Sequence, residues 1–454
     1  MANIYNFSRN ALLKRIGLTP GKKLLVFLIS LVALTIPMGY VYNSVAVIFF
    51  VACSVLSARR QDFSLKLPLL LPAGLFVLML ASVLWSLNPH ESLKALGKEA
   101  GLIFIPLAFM LNRRLNGRGV NDILKNFSLG MCLIGVYFLA RAVLRYISSG
   151  NPDVFFYHEL ATLKVNAVYL SVLVSMAFIV FLAKKGKTLW GYAAMGFLLL
   201  LIFLLSSKNL IIIDVALVLL YYIFYSPLPK KARVGVLLVF TAVFLVLGYY
   251  GRIYDRILHE TEAAQHNELS DGIHYVTVGE AATREKFTEN CYFNGTAFRT
   301  YQARIFTEML QEDPILFTGY GLNASTIKVE QKGLEHNVYH NNDEKMAYNK
   351  LNFHNQYVEV FADLGLVGFL IVIAMLAINL KKGLQSKYFI HIAFAILMIS
   401  VFLTESFLWR QRGVVFFTIF YCLFNDMLPF AAKRNVNENN TDNGGGRISG
   451  LTSL

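Results

Sequence analysis

The chain has 454 residues, 56% of them hydrophobic and only 15% charged, with a mean hydropathy of +0.53 and a formal charge of +14. That is too apolar for a soluble domain of this length and points to a polytopic membrane protein. In a soluble protein such a charge would suggest nucleic acid, but here the lysines and arginines form short clusters between apolar runs, as in cytoplasmic loops, so nucleic-acid binding is set aside.

Apolar runs of about 20 residues mark spans, and the basic clusters mark the side that stays in the cytoplasm. The run from Leu24 to Pro37 follows Lys22-Lys23 and has no clear small-residue cleavage site, which makes it a first anchor and not a signal peptide. Spans are predicted near 24–38, 41–57, 67–87, 99–112, 126–147 and 164–183. Further spans are predicted near 189–206, 209–226, 233–250, 356–380, 388–408 and 413–430. With these, the clusters around Lys22, Arg59, Arg113, Lys184, Lys230, Lys381 and Lys433 all fall on one side. The expected fold class is an all-α polytopic membrane protein of about 12 transmembrane helices with both termini cytoplasmic. The expected divisions are 1–250 with the first nine spans, an outer loop domain at 251–353, the last three spans in 354–432, and a disordered tail at 433–454.

The outer segment between the ninth and tenth spans is far too long for a passive connector. Within it Phe298, Tyr301, Ile305, Phe306, Met309 and Leu310 recur at helical spacing until Asp313-Pro314, which predicts an amphipathic helix over the outer face. Arg299 shares a flank with Phe306 and Leu310, whereas Arg304 points to the other side, so one of the two is expected at a common site. Gly319-Tyr320-Gly321 reads as a flexible turn, too short for a phosphate loop. Asn294 and Asn323 begin glycosylation sequons in a chain without other eukaryotic secretory signals. Cys53, Cys132 and Cys422 lie in apolar runs and Cys291 is alone in a polar loop, which leaves no disulfide framework or cysteine metal site. His336 and His340 are four apart in a polar stretch with little helical pattern, so no metal and no cofactor are expected.

The most informative stretch runs from Asn352 to Gly368, polar at its start and apolar beyond. On a helix Asn355, Glu359 and Asp363 share one face, with Asp363 about 13 Å deeper than His354. Carboxylates at that depth persist where they face a bundle interior, a wet cavity or a basic partner, either as a functional site or as an ion pair that sets packing. His354, at the edge of the membrane, is a candidate general base; the plainer reading is a polar cap. A second basic set at the outer ends of spans comprises Arg141, Arg145, Lys208, Arg410 and Arg412. With Arg299 it could form an anion site suited to a lipid pyrophosphate, although each cation alone also reads as snorkelling to the interface or pairing with Glu359, Asp363, Asp214 or Glu405.

Arg299, Asp313-Pro314, Gly319-Tyr320-Gly321, then His354-Asn355-Gln356-Tyr357 with Asp363, Leu364, Gly365 and Gly368 form an ordered pattern. It resembles the bacterial O-antigen ligase and O-antigen polymerase superfamily. Trp85-Ser86 with Asn88-Pro89 and Ser92, and Leu403-Thr404-Glu405-Ser406, extend the likeness over residues 67 to 430. The resemblance implies a GT-C-like glycosyltransferase of the bacterial inner membrane, working at the periplasmic face on an undecaprenyl-pyrophosphate-linked glycan. It maps the family's essential histidine onto His354 and its loop arginine onto Arg299, with Lys208, Arg141, Arg145 and Arg410 as candidates for the pyrophosphate and Asn355, Glu359 and Asp363 in support. Ser207-Lys208-Asn209 departs from the family's Ser-Arg-Gly, keeping the charge but losing bidentate geometry. A ligase would pass the glycan to a sugar hydroxyl of the lipid A core, and a polymerase to another lipid-linked repeat; ligase is the favoured expectation, inverting and metal-independent. A transporter is the competing class, but it would place its polar groups near the bilayer midplane, whereas here they crowd the outer edge.

Overall fold

The computed structural model describes residues 21–161, 165–205, 207–250, 273–338 and 348–428. The basic pair Lys14-Arg15, Ser206, His340 and the tail from 433 lie outside the described residues. The first half of the chain forms α1 (Lys22–Thr35), α2 (Tyr40–Ser57), α3 (Leu67–Ser82), α4 (Pro89–Glu99), α5 (Gly101–Met110), α6 (Gly117–Ser149) and the short α7 (Tyr157–Leu160). It continues with α8 (Ala167–Ala183), α9 (Leu189–Leu204), α10 (Lys208–Leu220) and α11 (Lys230–Tyr250). The outer segment contributes β1 (His274–Val276), α12 (Val278–Thr283), β2 (Cys291–Phe293), α13 (Gly295–Glu312) and α14 (Ser325–Glu335). Last come α15 (Gln356–Ser386), α16 (Phe389–Thr404) and α17 (Gln411–Asp426).

The protein is an all-α membrane protein; β1 and β2 pair in parallel with His274 opposite Cys291 and make the one small sheet among the described residues. A helix stands at each of the twelve predicted places. Four are long and apolar enough to cross a membrane by length and composition: α2, α6, Lys208–Tyr225 and α15; α3, α8, α9 and α16 are apolar but shorter. Several edges move for local reasons. Helix α6 begins at Gly117, well before 126, because the Asn116 side chain caps the Gly119 N–H and the polar turns that follow remain helical. The run predicted at 99–112 holds only the ten residues of α5, because Leu111 closes it and Asn112 folds back on the Ala108 carbonyl.

One end of the bundle gathers the basic clusters: Arg113 pairs with Asp62 at 2.7 Å, Lys66 and Arg114 meet Asp426, and Lys382 donates to the Asn425 carbonyl. The other end carries the outer segment, which has its own apolar core of Val276, Phe287, Phe293, Phe298, Tyr301, Ile305 and Met309. Both sequon asparagines are committed within it: Asn294 caps α13, and the Asn323 side chain accepts from the Trp409 indole at 2.8 Å.

The two units join at a break in α15. Gly365 has φ 64° and ψ −164°, a backbone conformation essentially confined to glycine, so the continuous helix expected there is two segments. A Cβ on Gly365 would overlap the Phe317 carbonyl group, and one on Gly319 would overlap the backbone of Asp363. The Gly319-Tyr320-Gly321 segment is therefore a fixed backbone-to-backbone contact and not the flexible turn read from sequence. Its N–H groups take up the carbonyls that the break releases: Tyr320 donates to Ala362 and Gly321 to Asp363, both at 2.9 Å, while the Leu366 N–H turns to the Leu316 carbonyl at 2.7 Å. Trp85, Leu87 and Ser92 hold the same segment from the other side, through the carbonyls of Thr318, Tyr320 and Leu322.

Gly365→Ala should therefore destabilise the detergent-solubilised protein by at least about 2 kcal/mol, by a disallowed backbone and a clash together. Gly196→Ala, in α9 with nothing near the new methyl, serves as control and should leave the melting temperature unchanged. Equal melting of the two variants would mean that the break is not required.

Candidate functional site

At the head of α15, Asn355 caps the helix by accepting from the N–H groups of Tyr357 and Val358 at 2.9 and 3.2 Å. That cap forces a sharp approach, and His354 takes it with φ 49°, in the left-handed region that few side-chain-bearing residues enter. The imidazole Nδ1 lies 3.1 Å from the Asn352 carbonyl oxygen, which can only accept. Nδ1 therefore carries the hydrogen, and Nε2 is left with its lone pair. Phe298 of α13 stands edge-on to the ring at 5.7 Å.

Helix α13 uses its predicted apolar stripe to grip this turn, with Phe306 against Phe353 at 6.0 Å and Phe361 at 5.5 Å. Arg299, one residue beyond Phe298, is thereby brought to the end of α16. Its Nε and Nη2 donate to the Thr404 carbonyl at 3.1 and 2.7 Å, and Nη1 to the Gly295 carbonyl at 2.8 Å. Arg304 points away as expected, to Glu308 and the Arg284 carbonyl. His336 belongs to that second network, with Tyr301 at 3.1 Å and Glu308 at 3.4 Å. Among the described residues no group of three His, Cys, Asp or Glu is placed to hold a metal.

The turn between α16 and α17 completes the site. Tyr169 donates to the Ser406 and Phe407 carbonyls, the Ser406 hydroxyl donates to Glu359 at 2.9 Å, and Gln356 accepts from the Leu408 N–H at 2.6 Å. Arg410 is held over the rings of Tyr169 and Trp409, 5.8 and 6.0 Å from their centroids. Burial pushes the His354 imidazole down to about 4, and the positive charges of Arg299 and Arg410 add to the effect, so the ring is neutral across the physiological range. The same two arginines act on the buried Glu405.

Lys208 adjoins this group through its neighbour: the Asn209 side chain donates to the Thr404 hydroxyl at 2.6 Å, on the residue that holds Arg299. Arg141 and Arg145 are elsewhere. Arg141 donates to Tyr137 on its own helix, and Arg145 binds the Glu159 carbonyl at 2.6 Å and its carboxylate at 3.3 Å. Arg412 is buried, bonded to the Met38 carbonyl and stacked on Tyr40. Asn355, Glu359 and Asp363 do not converge on His354 as one face. Glu359 reaches back to the Phe353 N–H at 3.2 Å, and Asp363 accepts from the N–H groups of Asn323 and Ser325 at 2.7 and 3.3 Å, anchoring the start of α14. Sequence reasoning missed Lys98, 4.9 Å over Trp409, and Tyr169; an isolated lysine before an apolar run and a tyrosine within one carry no local signal.

Asp363→Asn keeps one acceptor where the carboxylate serves two donors, and should cost about 1–2 kcal/mol of stability. Thermal melting would measure it; an unchanged midpoint would remove Asp363 from the anchoring role.

No curated protein matches the chain. The family model described as O-antigen ligase matches residues 193–373, a stretch that contains Lys208, Arg299, the Gly319–Gly321 contact, His354 and the Gly365 break, and this match supports the resemblance to the O-antigen ligase and O-antigen polymerase superfamily.

Proposed function

We propose that this protein is an O-antigen ligase, a glycosyltransferase of the bacterial inner membrane whose His354 site faces the periplasm and whose basic end faces the cytoplasm. Its donor is an undecaprenyl-pyrophosphate-linked glycan and its acceptor a sugar hydroxyl of the lipid A core. The reading is supported by Arg299, held on the Thr404 carbonyl, and Arg410, held over Tyr169, whose charges both act on the His354 imidazole. In this reading the outer segment 251–353 is a periplasmic domain over the membrane helices.

The chemistry follows from the charges. A lipid pyrophosphate is a good leaving group, so the reaction needs a base for the acceptor hydroxyl and fixed positive charge for the departing oxygens. Nε2 of His354 takes the hydroxyl proton, the acceptor oxygen bonds to the anomeric carbon, and the carbon–oxygen bond to pyrophosphate breaks with its electron pair. Arg299 and Arg410, with Lys208 beside them, meet the released charge; Arg141 and Arg145 stand outside this set. Attack opposite the leaving group inverts the anomeric centre. The cations supply what a divalent ion supplies in other transferases, so no metal enters the step.

Donor binding also tunes the base. With the site empty, Arg299 and Arg410 depress the imidazole; a bound pyrophosphate neutralises them and raises the basicity of His354 when the acceptor arrives. The two buried carboxylates of α15 serve the scaffold: Glu359 fixes the turn before His354 and Asp363 the outer domain.

The test is reconstitution of the purified chain in EDTA with lipid-linked glycan, with or without a lipid A core acceptor. A ligase yields glycan on the core lipid and free undecaprenyl pyrophosphate, and His354→Ala should lower that yield by a factor of about 10² or more. Lengthening of the lipid-linked chain without a core acceptor would make the protein a polymerase. Near-normal transfer by the His354 variant would overturn the base, and turnover only on added Mg²⁺ would overturn the metal-free step.

A further inference from the structure

At the end of the bundle remote from His354, helices α6, α8 and α16 and the end of α10 enclose a cavity of about 680 Å³. Helix α15 separates the two places along its whole length, with His354 before its first residue and Lys387, on the cavity wall, after its last. Four lysines line the cavity, Lys125, Lys184, Lys185 and Lys387, against the single carboxylate of Asp122. All four lysines are solvent-exposed, so they cost the fold little and meet whatever enters. The inner wall is apolar, with Phe181 and Phe389 buried and Leu129 44% exposed on the flank of α6.

The backbone is shaped around this space. Helix α10 ends in one π turn, Tyr221–Tyr225, closed by the Ser226 N–H on the Tyr221 carbonyl at 2.8 Å. Such turns are rare and recur at functional sites because the extra residue re-aims the side chains around it. Here Tyr221 and Tyr225 both line the cavity, against Phe389 at 5.0 and 5.2 Å. Tyr388 closes the rim by donating to Asn121 at 2.7 Å. Exposed cations, phenol rings and an apolar wall that includes the exposed Leu129 line one cavity, a combination that matches one molecule class.

We propose that this cavity binds an anionic phospholipid of the leaflet opposite the His354 site, with the phosphate among the lysines and an acyl chain along Leu129. Lysine-lined pockets between helix ends suit such headgroups by charge, while a zwitterionic headgroup would bring its own cation against the lysines. A soluble phosphate compound shares the anionic chemistry but leaves the apolar wall without a partner. The assignment does not rest on the transferase reaction.

The experiment is native mass spectrometry of the full chain in detergent, titrated with phosphatidylglycerol, phosphatidylethanolamine or inorganic phosphate. The expected result is one tightly retained phosphatidylglycerol per chain, preferred about tenfold over phosphatidylethanolamine and not displaced by phosphate. Replacing Lys125, Lys184, Lys185 and Lys387 together by glutamine should abolish the preference; these exposed positions leave folding intact, which an unchanged melting temperature would verify. Ala183→Trp, which fills the cavity and keeps every lysine, should also lose the lipid. Lys230→Gln, at the same end but outside the cavity, should retain it. Equal retention of the two lipids, retention by the four-lysine or the Ala183 variant, or binding of phosphate in place of the lipid would each overturn the proposal.

Discussion

The architecture depends on an exchange of backbone hydrogen bonds at Gly365. In an unbroken helix the Ala362 carbonyl would accept from Leu366; here the Leu366 N–H goes to Leu316, and the Ala362 and Asp363 carbonyls receive Tyr320 and Gly321. A polar backbone group left alone near the membrane is costly, so the break persists only while the outer segment supplies these partners. The outer segment in turn gains a rigid seat, because two glycines let the backbones touch. That seat fixes α13 over the head of α15, and so puts Arg299 near His354. A local irregularity in one helix thus determines where a residue some sixty positions earlier in the chain comes to rest.

Around that seat the polar groups divide by task. The buried carboxylates Glu359 and Asp363 hold N–H and O–H donors from three other segments and shape the turn before His354 and the start of α14. The cations Arg299 and Arg410 are oriented by carbonyl oxygens and aromatic faces. Both also act on the buried Glu405.

Much of this arrangement is legible in the sequence, within limits set by distance along the chain. Helix positions follow from apolar runs because burial in lipid is a one-dimensional property of the sequence. The separation of Arg299 from Arg304 follows from helical period alone, and the structure puts them in different networks. What cannot be read is non-local: that Asp363 caps a helix forty residues earlier, that Arg145 pairs with Glu159, or that two arginines from different elements both act on Glu405. The Gly365 break is hidden for another reason. Glycine is ordinary in membrane helices, and only its contact with Phe317 distinguishes this one.

The central claim is that Arg299 and Arg410 hold the donor's pyrophosphate and thereby set the basicity of His354. It is tested most directly by titrating the His354 imidazole by NMR in ¹³C-histidine-labelled protein, with the signal identified by its loss in His354→Gln, before and after addition of undecaprenyl pyrophosphate. The free protein should titrate at about 4. Bound pyrophosphate should raise that value by roughly one unit or more as the two guanidinium charges are neutralised. A value unchanged by saturating undecaprenyl pyrophosphate would contradict the account.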